Sequence, residues 1–305
     1  MAKFELEQPV PRRQFLKLCL AGVGGLFLPA GLVRPLEAKA VQFDPDRLFV
    51  GEILRYDVTF WWFERVGEVS LSFQRLSGSR GYLAQAWGQT LGVIGFLTAY
   101  RRDCYRSFMT YDQQAGRLVP QRFEEESVVG QEIYRAVRVF DHQTQRIYFS
   151  HPKGDGQLEE RIDQMPSPLT ADYLTAIYNF RAGVYGPVEP GREIVIPTIP
   201  NQGSKEITIS FLNRAETEKR RRTEKTPWPY YAFIKVDPKL LHNVKGHVHG
   251  WFSEELIPQQ GVIRQVLFFG QVKGWLASRG RLPVETEASP LSPVEIRKPQ
   301  VGPRS

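Results

Sequence analysis

His247 and His249 alternate with Val248 in the pattern of a strand, so both imidazoles belong to one face. With a third ligand from elsewhere, such a pair could hold zinc or copper. Two histidines fall short of the donor set a structural zinc needs, and alternating polar residues on a solvated strand look identical. The expectation is therefore no metal and no other cofactor. Glu124-Glu125-Glu126 invites a carboxylate-pair hydrolase, but strand alternation puts Glu124 and Glu126 on the same face. Acid–base chemistry needs two carboxyls facing each other across a cleft. The run reads as a charged, exposed sheet edge. Downstream of residue 40 there is no Gly-x-Ser-x-Gly elbow, phosphate loop, dinucleotide fingerprint or His-Glu-x-x-His. No catalytic residue is assigned.

Aromatic and basic clusters say more. Trp61-Trp62-Phe63 places three large rings at a strand end, and alternation sends Trp62 opposite to its neighbours. Something must cover the outlier, so these three are the ligand-facing candidates, with core filling as the plainer role. Leu91-Gly92-Val93-Ile94-Gly95-Phe96-Leu97 is similarly apolar, a flap over a mouth or a buried crossover. Lys219-Arg220-Arg221-Arg222, flanked by glutamates, reads as a solvated hairpin arm between strands. Its functional version is contact of Arg220, Arg221 and Arg222 with anionic lipid headgroups or cell-wall polymer.

The elements that would carry these residues are mostly strands. Leu54, Tyr56, Val58 and Phe60 alternate with Arg55, Asp57 and Thr59, and Val69, Leu71 and Phe73 repeat the rhythm. Such alternation marks half-buried antiparallel strands. Trp61 to Gly67 would connect the first two. About a dozen further short segments read the same way up to residue 277. One stretch differs: Leu169, Tyr173, Ala176, Ile177 and Phe180 form a helical stripe, with Asp172, Thr175 and Asn179 opposite. Ser167 or Thr170 can cap its start, and Gly183 ends it. The fold class expected is all-β, mainly antiparallel: a curved sheet or incomplete β-barrel with one packed α-helix. Residues 41–278 form a single β-rich domain, and 279–305 a Pro-rich disordered tail.

The first forty residues read as an address. Arg12-Arg13 with Phe15-Leu16-Lys17, a glycine-diluted apolar stretch and Ala38-Lys39-Ala40 resemble a twin-arginine signal peptide, cleaved before Val41. An uncleaved anchor is the alternative. The chain has 40 Lys+Arg against 33 Asp+Glu. Removing 1–40 takes six and three of these, leaving 34 against 30, so nucleic-acid binding loses its main support. Cys19 leaves with the leader, and Cys104 alone can close no internal disulfide. It reads as a buried strand residue, or less plainly a thiol activated by nearby arginines.

Gly51-Glu52-Ile53-Leu54-Arg55-Tyr56-Asp57-Val58 and the Gly67-Glu68-Val69 return strand resemble an exported bacterial family known as domain of unknown function 3108. Asp172-Tyr173-Leu174-Thr175-Ala176-Ile177-Tyr178, Pro190-Gly191 and Trp251-Phe252-Ser253-Glu254-Glu255 extend the resemblance over about 48–277. It implies an all-β envelope protein with one helix and brings no catalytic residues. The combined expectation is a non-catalytic periplasmic protein that binds a hydrophobic or lipid-like ligand, or an envelope partner, on a concave sheet. The competing classes are a metalloprotein or enzyme assembled from His247, His249 and Cys104, and a purely structural subunit. No transmembrane span is expected in the mature chain.

Overall fold

The computed structural model describes residues 42–154, 156–201, 204–235, 247–266 and 270–282. The leader, with Arg12, Arg13, Ala38 and Ala40, lies outside the described residues. A short helix α1 (Pro45–Leu48) precedes two long strands, β1 (Glu52–Phe60) and β2 (Phe63–Arg75). Then come β3 (Gly81–Thr90), helix α2 (Gly92–Leu97), β4 (Arg102–Asp112) and β5 (Arg117–Val129). The first block ends with β6 (Glu132–Asp141), β7 (Arg146–Pro152) and β8 (Leu158–Gln164). Helix α3 (Tyr173–Arg181) leads to β9 (Glu193–Asn201), β10 (Ser204–Phe211) and helix α4 (Arg214–Glu224). The last strands are β11 (Tyr230–Lys235), β12 (His247–Phe252), β13 (Pro258–Val266) and β14 (Gly270–Arg281).

The fourteen strands among the described residues belong to one antiparallel sheet, ordered β8-β7-β6-β5-β4-β3-β2-β1-β14-β13-β12-β11-β10-β9. Each block is a meander of neighbours, and the blocks join where β1 pairs with β14. The sheet is open and barrel-like, as expected for this strand pattern. Its last strand continues to Arg281 because Glu52–Arg55 pair with Ser278–Arg281, so the ordered chain passes residue 278.

Helix α3 sits inside the curvature and divides the core in two. On one side Phe73, Tyr82, Met109, Leu118, Phe123 and Tyr178 pack together. On the other, Val58, Phe180, Ile196, Ile209, Phe252 and Val272 form a second cluster. The helix is therefore buried on its polar side as well as along its apolar stripe. Asp172, Thr175 and Asn179 are fully buried. Each has a partner: Asp172 and Thr175 bond the Ser107 hydroxyl, at 2.6 and 2.9 Å. The Asn179 amide accepts from Leu118 N–H and donates to Leu118 C=O, both at 2.8 Å, imitating a strand neighbour. The N-cap is Asp172, not Ser167 or Thr170, since its carboxylate accepts from the N–H groups of Leu174 and Thr175. Gly183, at φ +77°, takes the left-handed position after the helix. Asn179→Ala leaves two buried backbone groups of β5 unpaired. It is expected to cost about 2–3 kcal/mol in urea unfolding, with no loss of secondary structure.

Three further expectations are corrected. The basic run is helix α4, not a hairpin arm: Asn213 caps it, Glu218–Arg221 and Arg220–Glu224 pair at 2.6 Å, and Lys225 ends it in the left-handed conformation. The Trp61–Gly67 connection is a two-residue turn, because β2 already begins at Phe63, paired with Phe60. Glu124–Glu126 lie on β5, which is flanked by β4 and β6 and is no edge. Their charges are met by Arg106 and Arg122 at Glu124, Arg135 at Glu126, and Arg138 at the buried Glu125.

Candidate functional site

The second core cluster is incompletely filled. A cavity of about 200 Å³ lies among β1, β2, the strands β9 to β14 and helix α3. Its wall is aliphatic and aromatic: Val58, Val69, Ile209, Ile234, Phe252 and Ile263 are among the lining side chains. Tyr56, Arg181, His249 and Gln260 are its polar lining residues. The cause of the void can be read from strand register. Gly250 pairs with Gly261, Gly261 with Gly274, and Gly274 with Val58, which pairs in turn with Gly67. Three glycines thus stand side by side across β12, β13 and β14, and all three line the cavity. They hold positions where alternation would otherwise place inward side chains, beside the inward Phe252, Ile263 and Val272. Glycine inside a strand costs stability and commonly marks close approach of another group. Neither the glycine row nor the cavity was legible without the register.

Arg181 is anchored at one end of α3. Its Nη1 and Nη2 donate to Glu52 Oε2 and Oε1 at 2.6 and 3.0 Å, and both side chains are buried. The guanidinium also lies 5.1 Å from the Phe49 ring centre and 5.5 Å from that of Tyr178. Arg279 adds a second cation to Glu52 at 3.3 Å. Burial pushes the Tyr56 and Tyr178 phenols well above their ordinary range, so both stay neutral donors.

The residues singled out from the sequence lie elsewhere. Trp61, Trp62 and Phe63 form the tip of the β1–β2 hairpin and do not line the cavity. Trp62 is 64% exposed, its ring centre 3.6 Å from that of Trp61 and 5.8 Å from that of Phe63. Alternation fails to describe them because Trp61, at φ +57°, sits in the turn in a left-handed conformation rarely adopted by a bulky residue. The segment 91–97 contains helix α2, which buries Ile94 in the second cluster while Val93, Phe96 and Leu97 remain exposed. It lies beside β2, tied by the Leu91 N–H to Val66 C=O bond at 2.7 Å.

Helix α4 covers the outer face of β11 and β12. Arg220 stacks 4.1 Å from the Tyr231 ring centre, and Trp251 donates its indole N–H to Glu224 at 2.7 Å. Arg220 and Arg221 are therefore already paired to glutamates on their own helix. His249 packs against the Phe233 ring at 4.8 Å, and the side chain of His247 lies outside the described residues. Among the described residues no three His, Cys, Asp or Glu side chains gather as a metal site would require. Cys104 is half-buried on β4, accepts from Gln85 at 3.4 Å, and has its thiol pushed up by burial, which opposes thiolate reactivity. No helix among the described residues is long and apolar enough to cross a membrane.

Comparison with known proteins gives a family and a broad likeness of shape. A family model described as a protein of unknown function, DUF3108, matches residues 55–274. No curated protein matches the chain. Among solved structures, it is similar to a β-barrel-like protein of domain of unknown function DUF1849 from Brucella abortus. That match has 11% identity and a TM-score of 0.40, covering 77% of this chain and 98% of the other. A DUF1089 family protein from Pseudomonas aeruginosa matches at 12% identity and a TM-score of 0.29, over 77% and 94% of the two chains.

Proposed function

The chain belongs to the DUF3108 family of proteins of unknown function, and from that premise we propose that it is a non-catalytic binder of one slender hydrophobic or lipid-like chain. The observation that carries this reading is the apolar cavity floored by Gly250, Gly261 and Gly274. A void walled by hydrocarbon is not a stable home for water, which needs several polar partners. At about 200 Å³ it is smaller than the roughly 300–1,000 Å³ of common small-molecule sites, which favours a single chain over a two-tailed lipid.

The place of action proposed is the cell envelope, reached by twin-arginine export directed by Arg12 and Arg13. The exposed tip Trp61-Trp62-Phe63 would touch the bilayer or the envelope partner that delivers the ligand, since amphipathic rings suit a membrane–water boundary. Arg220, Arg221 and Arg222 stand as a proposed contact for anionic headgroups, reduced at the first two by their own glutamates.

Native mass spectrometry of protein exported and purified without detergent tests the reading. One added mass, removed by organic solvent, is expected. Protein that carries none and also fails to brighten an apolar fluorescent reporter would end the proposal. Trp62→Ala should leave stability within about 0.5 kcal/mol while weakening capture by vesicles of the native lipids. Full retention of that capture would remove the tip from the account.

A further inference from the structure

We propose that the Arg181 end of the cavity is a head-group subsite, selective for a chain ending in an oxygen acceptor: a carboxylate or an ester carbonyl. The inference rests on the cavity reading and adds what that reading lacks, the chemistry at the end of the chain.

Among the cavity-lining groups, Arg181 stands out by being both cationic and buried. Its two terminal nitrogens are taken by Glu52, but Nε–H is buried with no hydrogen-bond partner. Nε can only donate, so whatever completes it must bring a lone pair. An oxygen acceptor does so; an alkylammonium head does not. The guanidinium is already held by Glu52 and by the Phe49 and Tyr178 rings, so it need not reorient; a ligand oxygen reaches the enclosed Nε by displacing wall atoms beside it. Glu52 is shared with Arg279, which keeps its negative charge from being left to Arg181 alone. Tyr56, on the same wall and held neutral by burial, supplies a further O–H. A greasy wall with a fixed cationic donor at one end is the pattern of a site for an amphiphile rather than for a plain hydrocarbon.

The test uses the mature protein loaded with an apolar fluorescent reporter and displaced by hexanoate, methyl hexanoate or hexylammonium at neutral pH. Hexanoate and the methyl ester are expected to displace at concentrations at least about tenfold lower than hexylammonium. Arg181→Lys keeps a cation for Glu52 and removes Nε–H; it should still bind the reporter but lose that order. Equal potency of the three heads in the wild type, or an order unchanged in Arg181→Lys, overturns the subsite while leaving the cavity reading intact. If no chain displaces the reporter, both fall. Should Arg181→Lys fail to fold, the wild-type series decides alone.

Discussion

Gly274→Leu is expected to cut the affinity for an apolar chain at least about tenfold, while the thermal midpoint stays level or rises. A Cβ at Gly274 would meet its nearest neighbour, the Asp57 carbonyl oxygen, at 3.8 Å, an ordinary contact. At Gly261 the nearest atom is the His249 carbonyl oxygen on the adjacent strand, at 4.0 Å. Neither glycine has a positive φ, so a side chain meets no backbone strain. If each added carbon claims on the order of a water's ~30 Å³, the four carbons of an isobutyl group fill well over half of the void. Exchanging glycine for a residue that suits strands also restricts the unfolded chain, which favours folding by about 0.4–1 kcal/mol. Gly250 is the poor choice, because its Cβ would come within 3.2 Å of the Gln260 carbonyl. Reporter titration beside a melting curve decides. A folded leucine variant that binds as tightly as the wild type would show that the cavity is a packing defect and not a site.

Asp172→Ala is expected to be strongly damaging, at about 2–4 kcal/mol. The carboxylate caps α3 through two backbone N–H groups and accepts from Ser107 and Thr175, so alanine orphans both N–H groups inside the core and leaves the two hydroxyls only each other. Asp172→Asn is the informative partner. Asparagine can still cap with its oxygen and can donate to the two hydroxyls. Burial raises the Asp172 carboxyl above the ordinary aspartate value, and its hydrogen bonds from Ser107 and Thr175 only partly oppose this. The folded state therefore holds that proton more tightly than the unfolded chain. The associated stability is complete below about pH 4 and is lost as pH rises through the folded value. Urea unfolding from about pH 4 to 8 should show the wild type losing stability relative to Asp172→Asn as pH rises. Parallel profiles would mean that the carboxylate is fully compensated by its donors.

Where polarity alternates, as from Leu54 to Phe60, the strands were readable, because burial on one face of a sheet imposes period two. Helix α3 was readable for a similar reason, but its environment was not. A polar stripe facing solvent and one bonded to Ser107 and Leu118 look the same in a sequence. Helix α4 has no apolar period to find; its signal was local, Asn213 three residues before Glu216 and glutamates spaced to meet arginines. The β8 strand escaped notice because it is a charged edge with little to bury. The aromatic triplet drew attention by residue type, whereas the cavity depends on what Gly250, Gly261 and Gly274 lack. An absence becomes visible only when three separate strands are set in register.

The seam between β1 and β14 carries a consequence for biosynthesis. The opening strand of the ribbon has its second neighbour in the closing one, so Tyr56 meets Leu276 only after nearly every intervening residue has been translated. On the ribosome the nascent chain can zip each meander, but its two halves stay unlatched until β14 clears the exit tunnel. Formation of that seam also sets Gly274 beside Val58 and so completes the wall of the cavity.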